Sequence, residues 1–387
     1  MNGNNSVPNI RFKGFEDKWK INRLLSITTV YSGLTYKPED IQTSGTLVLR
    51  SSNIQEGKII KKDCVYVNSS VVNSINVEKK DVILVVRNGS KKLIGKHAIV
   101  MQNMKNTVIG AFMSGLRPKN GDFLNALLNT ETFKKEVFRS LGATINQITN
   151  KDLKRMKFYL PFSYEQQKIG NFFTKLDKLL DLQQQKIDKL ELLKKALLQK
   201  LFPKHDAQIP ELRFKGFEDV WESMKFKNIL NYERPDKYIV KSDNYSNNGI
   251  PVLTANKSFI LGYTQESSFY GKPLPIIIFD DFTLDCKLVK FPFKIKSSAI
   301  KILSSNNFSD IWFDFYLLKA TSFIKEGHAR HYISIVQNKK INVPCEQEQQ
   351  KIGNLLSKVD QLIELENQKL QNFQQVKKCL LQNMFVE

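Results

Sequence analysis

Residues 8–19 read PNIRFKGFEDKW and residues 210–221 read PELRFKGFEDVW, with nine of the twelve positions identical. A second repeat follows at a different offset, because residues 165–171 and 348–354 both read EQQKIGN. The 42-residue stretches that contain this second motif share 20 identities without a gap. Internal similarity of this strength indicates a duplicated structure, so the chain consists of two copies of one plan.

The segments between the repeated motifs are different. Residues 20–158 and 222–341 share little sequence and differ in length. Each copy therefore has a shared leading motif, a variable globular segment and a shared tail. The shared parts indicate a common scaffold, and the variable parts indicate two different tasks of one kind.

The shared tails have the heptad pattern of long amphipathic helices. Residues 161–202 and 344–387 are the predicted helices, and the linker 203–209 follows the first. Polar residues interrupt the seam at matching places, Gln183 with Glu366 and Lys194 with Lys377. We expect the two helices to pack on each other within one chain; a coiled coil between chains is the alternative. The apolar seam positions are Ile169, Phe173, Leu176, Leu180, Ile187, Leu190, Leu197, Ile352, Leu356, Val359, Ile363, Leu370, Phe373 and Leu380.

The variable segments are rich in predicted strands, among them TLVLR at 46–50, VILVVR at 82–87 and IIIF at 276–279. Short helices are expected within 121–140 and 311–324. The predicted fold is α+β: two strand-rich domains, residues 1–160 and 210–343, separated by two long helices packed as an antiparallel coiled coil. An internal pseudo-two-fold repeat relates the two halves.

The charge is strongly basic and unevenly distributed. The 387 residues contain 59 Lys and Arg against 38 Asp and Glu, a net charge of +21. Residues 1–161 carry +14 of this excess and residues 203–342 carry +5, whereas the helices are nearly neutral. Such a surface is typical of proteins that bind nucleic acid. The pattern favours two nucleic-acid readers on a neutral spacer.

All but one of the candidate DNA-contacting residues in the first segment lie in two short stretches; the exception is Arg117. RSSN at 50–53 ends a predicted strand, and RNGSKKLIGK at 87–96 is a basic turn with two glycines. Lys suits phosphate contact, and Arg and Asn are suited to bidentate contacts with guanine and adenine. An ordinary exposed hairpin is the alternative for the turn. The candidates are Arg50, Ser51, Asn53, Arg87, Ser90, Lys91, Lys92, Lys96 and Arg117.

The second segment gives fewer signals. TANK at 254–257 follows a predicted strand as RSSN does in the first copy. Aromatic residues nearby belong to a core more often than to a contact surface. The candidates are Thr254, Asn256, Lys257, Tyr263, Tyr270, Lys272 and Lys287.

Catalytic motifs are mostly missing from the sequence. GSKKLIGK at 89–96 is one residue too long for a phosphate-binding loop, and His97 stands where Ser or Thr is needed. The chain contains neither a Pro-Pro pair nor a G-x-G-x-x-G loop. FDDFTLDCK at 279–287, with acids and a lysine from Asp280 to Lys287, leaves a metal-dependent nuclease as an alternative. We expect these acids to be structural or base-contacting, with no equivalent in the first segment.

The sequence gives little support to a metal-binding, membrane-spanning or secreted protein. Four Cys and four His residues form no metal-binding spacing, so we expect no metal site and reduced thiols. No apolar run is long enough for a membrane helix, and MNGNNSVPNIRFKG contains no apolar core of a secretory signal. We expect a cytoplasmic location.

The duplicated motifs resemble the specificity subunits of bacterial Type I restriction–modification systems. That family has an R-F-x-G-F-x-x-x-W motif before each variable domain and an E-Q-x-x-I motif at the start of each helix. The first is matched by Arg11, Phe12, Gly14, Phe15, Trp19, Arg213, Phe214, Gly216, Phe217 and Trp221, and the second by Glu165, Gln166, Ile169, Glu348, Gln349 and Ile352.

The resemblance implies a subunit without an active site of its own. Each domain would read one half of a bipartite, asymmetric site in double-stranded DNA, and the helices would set the spacing. Two modification subunits would dock on the helices, bind S-adenosylmethionine and methylate adenine N6. Restriction subunits would join and use ATP and Mg²⁺ for cleavage. A structural protein built on a coiled coil is the alternative from another class.

Overall fold

The computed structural model describes residues 6–141, 146–204, 207–255, 258–324 and 331–386. The chain divides into two compact units. Unit 1 comprises residues 1–184 and 369–387, and unit 2 comprises residues 185–368. Within the described ranges the chain mixes helices and strands, which confirms the α+β class, and none of the helices there is long and apolar enough to cross a membrane.

Unit 1 contains two four-stranded sheets. One sheet has the order β2-β11-β8-β9 and is antiparallel, and the other has the order β10-β4-β7-β3; β1 pairs with β12. All four residues of β8, VILV, are buried, as expected for a strand covered on both faces. The strands are β1 (Lys20–Arg23), β2 (Thr28–Ser32), β3 (Ile41–Gln42), β4 (Thr46–Leu49), β5 (Ile54–Gln55), β6 (Lys58–Ile59), β7 (Val65–Val67), β8 (Val82–Val85), β9 (His97–Ile99), β10 (Thr107–Ile109), β11 (Met113–Pro118) and β12 (Lys157–Leu160).

The helices of unit 1 cover one sheet. The predicted helical stretch 121–140 is two helices, because Asn129 and Thr130 end the first and Thr130 caps the second by accepting the N–H of Phe133 at 3.2 Å. Phe123 and Phe133 are buried in the core beneath them. The helices are α1 (Gly121–Leu128), α2 (Glu131–Ser140), α3 (Asn150–Arg155) and the first part of α4 (Ser163–Lys200).

Unit 2 repeats this plan. Its antiparallel sheet has the order β14-β20-β17-β18, a three-stranded sheet has the order β16-β15-β19, and β13 pairs with β21. The strands are β13 (Glu222–Lys225), β14 (Leu230–Glu233), β15 (Ile250–Leu253), β16 (Ile260–Thr264), β17 (Ile276–Asp280), β18 (Cys286–Val289), β19 (Lys294–Ile295), β20 (Ile300–Ser305) and β21 (Lys340–Val343). The helices are α5 (Ile311–Ala320), α6 (His331–Ser334) and α7 (Glu346–Asn383), whose last part belongs to unit 1.

Strand pairing aligns the two variable segments, although their sequences do not. Val85 of β8 pairs with Met113, and Asp280 of β17 pairs with Ile300, at the same place in each sheet. β10 runs parallel to β4, as β19 runs parallel to β15. The turn at 281–285 therefore corresponds to the loop at 86–96. The connection thus has a positional equivalent in the first segment, but residues 86–96 contain no acid, so the acids of 279–287 have no counterpart there.

The long helices run antiparallel within each unit. In unit 1 the Lys377 ammonium lies 2.5 Å from the Asp177 carboxylate, and in unit 2 Lys194 lies 2.5 Å from Asp360. The two ion pairs are equivalent under the repeat, so the lysines that interrupt the heptads have partners on the facing helix. Glu366 pairs with Lys186 in the same way. Every apolar seam position named above is buried or half-buried.

The repeated motifs lock each variable segment to its helix. Arg11 donates to both carboxylate oxygens of Glu165, at 2.7 and 2.8 Å, and Arg213 does the same to Glu348, at 2.9 and 2.8 Å. Two-bond guanidinium–carboxylate pairs are strong and directional. The Arg of the leading motif and the Glu of the helix motif thus form an equivalent ion pair in each unit.

Candidate nucleic-acid interface

Three connections of unit 1 meet at one end of its sheets. The Asn88 amide donates to the Ser51 hydroxyl at 3.2 Å, and the Gly110 N–H donates to the Leu49 carbonyl at 2.8 Å. The Arg87 N–H donates to the Phe112 carbonyl at 3.1 Å. We call residues 50–53, 87–92 and 110–112 the unit 1 loop cluster. The structure thus brings together the two stretches chosen from the sequence.

The exposed face of this cluster is cationic and aromatic. The Arg87 guanidinium lies 5.1 Å from the ring centre of Phe112, which is 52% exposed. Lys91 and Lys92 begin a short 3₁₀ turn after Ser90 and are exposed; neither has an ion-pair partner in the described part of the chain. Lys96 is half-buried at the end of the same connection. Such a face suits contacts with phosphates and bases.

Two sequence candidates in unit 1 have internal roles. Asn53 is completely buried, and its amide donates to the carbonyls of Ile60 and Lys62 at 3.2 and 2.8 Å. Arg117 donates two hydrogen bonds to the buried Asp81 carboxylate, at 3.0 and 2.9 Å. Both side chains are used inside the fold, and we remove them from the contact set.

Arg50 and Ser51 lie at the edge of the cluster and remain candidates for DNA contact. Arg50 donates to the Asp63 carbonyl at 2.7 Å, and its backbone N–H donates to the Asn53 side chain at 2.9 Å. Both residues are half-buried. The buried Asn53 therefore fixes the turn that presents them, which explains why a polar residue stands there.

The corresponding end of unit 2 is built from the residues after β15, the turn 281–285 and the connection 296–299. The Lys296 N–H donates to the Leu253 carbonyl at 3.1 Å, and the Asp281 N–H donates to the Ala299 carbonyl at 2.9 Å. These bonds correspond to two bonds of unit 1, from the Gly110 N–H to the Leu49 carbonyl and from the Val86 N–H to the Phe112 carbonyl. We call this set the unit 2 loop cluster. Its exposed side chains include Phe282, Thr283 and Asp285.

The sequence candidates of unit 2 divide into several groups. Tyr270 is 2% exposed and stacks on Phe293 with 5.2 Å between ring centres; burial raises the pKa of its hydroxyl to about 12, so it is a core residue and leaves the contact set. Thr254 is buried, Tyr263 and Lys287 are half-buried on strands, and Lys272 is exposed. Asn256 and Lys257 lie outside the described residues.

Asp280 and Asp281 have structural roles. One Asp280 oxygen accepts the N–H groups of Phe282 and Thr283, both at 2.9 Å, and closes the turn. Asp281 is 1% exposed, lies 3.1 Å from the Lys301 ammonium and accepts the N–H of Tyr332 at 2.7 Å. No group of three potential metal ligands occurs within the described ranges. The geometry gives the nuclease alternative no support.

Sequence reasoning missed Phe112, and it did not recognise that the turn 281–285 corresponds in position to the basic loop of the first segment. Both would have been found by aligning the buried strands VILV and IIIF instead of the residues around them, because the strands define which connections are equivalent.

Comparisons with known proteins agree with the duplicated plan. A family model for the Type I restriction modification DNA specificity domain matches residues 16–192 and 218–375. The chain is 38% identical over 156 residues to the Type I restriction enzyme EcoR124I/EcoR124II specificity subunit of Escherichia coli, a match to 38% of each chain. It therefore aligns with less than half of that relative.

Two longer matches cover most of the chain. The Type I restriction enzyme MjaVIII specificity subunit of Methanocaldococcus jannaschii is 24% identical over 312 residues, 72% of this chain and 73% of that one. The solved Type I restriction-modification S subunit from M. genitalium superposes with a TM-score of 0.65 at 16% identity, over 98% of this chain and 99% of that one, which shows a common fold.

The family match over residues 16–192 and 218–375 places the chain in the restriction–modification class of proteins. The chain belongs to the Type I restriction–modification DNA specificity family and contains the family's specificity domain twice.

Proposed function

We propose that this chain is the non-catalytic DNA-recognition subunit of a Type I restriction–modification complex. Each loop cluster reads one half of a bipartite, asymmetric site in double-stranded DNA. The observation that carries the proposal is the pair of equivalent loop clusters, because one fold presents two different sets of side chains at the same place. Two readers with different chemistry suit a site with two unlike halves.

The unit 1 loop cluster supplies phosphate and base contacts. Lys91 and Lys92 are exposed cations that form no ion pair with any described residue, which leaves them available for phosphate contacts. Arg87 is held against Phe112, which limits the conformations of a side chain suited to guanine. Ser90, Lys96, Arg50 and Ser51 flank these residues.

The unit 2 loop cluster is chemically different. Phe282 and Thr283 stand where unit 1 has its basic loop, and the exposed Asp285 can accept a hydrogen bond from an exocyclic amino group of cytosine or adenine. Thr254, Asn256, Lys257, Tyr263, Lys272 and Lys287 remain candidates for the second half-site.

Partner subunits bind a surface patch that occurs once in each unit, at equivalent positions. Lys13, Gln167, Lys168 and Asn171 are exposed or lie at the helix surface, and all four recur at the same positions of the second copy. Side chains that are repeated while neighbouring segments diverge suit one partner that binds twice. We assign these surfaces to two modification subunits, which carry S-adenosylmethionine and methylate adenine N6 in the cytoplasm.

Restriction subunits join this complex and supply ATP- and Mg²⁺-dependent cleavage. The experiment for the proposed function is a gel shift with the chain alone and with its modification subunits. We expect specific retention of duplexes that carry the motif methylated in the host. Failure to bind any duplex with either preparation would favour the structural-protein alternative.

A further inference from the structure

The unit 2 loop cluster contains a cation outside the set of candidates chosen from the sequence. Lys296 follows β19 as Gly110 follows β10, and the N–H groups of both residues donate to the last residue of the neighbouring parallel strand, at 3.1 and 2.8 Å. Lys296 is therefore the structural counterpart of Gly110. By the same strand pairing, Thr254 after β15 is the counterpart of Arg50 after β4.

The two units carry a basic residue on different strands at this place. In unit 1 a Cβ atom on Gly110 would lie 3.8 Å from Cγ of Arg50, so side chains at these two positions occupy adjoining space. Unit 1 has a long basic residue after β4 and glycine after β10. Unit 2 has the short Thr254 after β15 and the long basic Lys296 after β19. The cation is thus attached to the other strand of the parallel pair, at the same end of the corresponding sheet.

The remainder of the unit 2 loop cluster is poor in cations. The turn 281–285 reads DFTLD and the connection 296–299 reads KSSA, so Lys296 is the one cation in these two stretches, beside two acids. The three stretches of the unit 1 loop cluster contain four cations and no acid. Lys and Arg make most contacts with DNA phosphates, and these contacts position the duplex. A cluster that reads bases with an acid needs a cation nearby to offset its repulsion of the DNA backbone.

The Lys296 ammonium is held in position while it stays accessible. Its side chain is 37% exposed and forms an ion pair with Asp243, whose side chain is 77% exposed. The ammonium also lies 5.8 Å from the ring centre of Tyr245. An ion pair this exposed is weak, so another anion can replace the carboxylate. The aromatic ring attracts the cation and restricts where it can move.

We propose that Lys296 binds a backbone phosphate of the half-site read by unit 2, and that Asp243 occupies the place of this phosphate until DNA binds. A carboxylate and a phosphate are both anionic acceptors of hydrogen bonds, so one can replace the other on the ammonium. Tyr245 keeps the ammonium positioned in both states. The inference rests on the proposed function, because it requires the unit 2 loop cluster to face DNA.

The first test measures how salt affects the binding of a duplex with the methylated motif by the full chain and its modification subunits. Lys296→Met should weaken binding about three- to tenfold and reduce the slope of log K against log salt by about 1. Lys296→Arg should keep the slope, because it keeps the charge. Asp243→Asn should bind at least as tightly as the unaltered chain, because DNA no longer has to displace a carboxylate.

The matched control is Lys227→Met. Lys227 is exposed and precedes the end of β14 that pairs with Ser305, at the far end of β20 from the loop cluster. This variant should change neither the affinity nor the slope. Thermal melting checks that each variant folds.

A second test locates the phosphate. Methylphosphonate linkages remove the charge of single phosphates in the half-site that is retained when residues 20–158 are exchanged. We expect one linkage that weakens binding by the unaltered chain and has no effect on Lys296→Met. If every linkage weakened both proteins alike, or if Lys296→Met kept its affinity and slope, the inference would be overturned while the proposed function stood. If the unaltered chain bound no duplex, the proposed function would fail, and this inference with it.

Discussion

Arg11 and Glu165, 154 positions apart, form a two-bond ion pair that also includes Trp19, whose indole N–H donates to the same carboxylate at 3.2 Å. Arg213 and Glu348 repeat the pair in unit 2, but the buried indole nitrogen of Trp221 has no hydrogen-bond partner within the described ranges. Residues that look like two separate motifs in the sequence are therefore one contact. It holds the start of each variable segment against its long helix.

Removing Arg11 should destabilise unit 1 strongly. Glu165 is 3% exposed at its side chain, so Arg11→Ala leaves a buried carboxylate without its main partner, at a cost of about 3 kcal/mol. Urea unfolding measures this through Trp19 fluorescence, with Trp221→Phe and Trp312→Phe in the background. Arg139→Ala, at an exposed pair on α2, should cost less than about 1 kcal/mol. If Arg11→Ala and Arg139→Ala lowered the free energy of unfolding by the same amount, the Arg11–Glu165 pair would not have this stabilising role.

Unit 2 should lose stability as the pH rises towards 7. Burial raises the pKa of Asp314 from 3.8 to about 7, while Ser305 and Ser309 donate hydrogen bonds to it. A raised folded-state pKa favours the protonated carboxyl, so its stabilisation is complete below the ordinary pKa and is lost as the pH rises through the folded one. The free energy of unfolding should fall by about 3 kcal/mol between pH 5 and pH 8. Asp314→Asn should remove this fall, and an unchanged fall would contradict the assignment.

Neutralising the basic turn should weaken DNA binding without changing specificity. Lys91→Ala with Lys92→Ala removes two proposed phosphate contacts, so the slope of log K against log salt should decrease by about 2. Affinity for all sequences should fall alike. The control, Lys105→Ala with Lys119→Ala, changes exposed lysines at the far ends of β10 and β11 from the loop cluster. A slope that is unchanged in the first variant would exclude these contacts.

Lengthening the helices should lengthen the spacer of the DNA site. Four residues inserted after Gln183 in α4 add about 6 Å of helix, close to two base pairs of DNA. The methylated motif should keep both half-sites and gain one or two base pairs between them. The insertion also shifts the heptad register, so part of the stability is lost. Full activity with the original spacer would mean that the helices do not set the distance.

The sequence predicts the repeated parts well and the variable parts less well, for physical reasons. A seven-residue period reports the buried face of a helix directly, so Ile169 and Leu356 could be assigned without a structure. A polar residue in a turn does not reveal which way it points. Asn53 and Arg117 have side chains suited to bases, but they donate to backbone carbonyls and to a buried acid instead.

The equivalence of the two loop clusters was also hidden in the sequence. β8 and β17 occupy the same position because of strand order and burial, and neither requires identical residues. Loop length differs, from 86–96 to 281–285, so alignment by sequence fails where function diverges. The side chains proposed to contact bases are those under least structural constraint, which makes them the hardest to predict.

The most direct measurement of the central claim is the methylated motif after one reader has been exchanged. Residues 20–158 would be replaced by the corresponding segment of a family member with a known site, leaving Arg11, Glu165 and unit 2 unchanged. Genome-wide sequencing of N6-methyladenine should then show one new half-site, with the other half-site and the spacer retained. A change in both half-sites, or in neither, would contradict the assignment of one half-site to each unit.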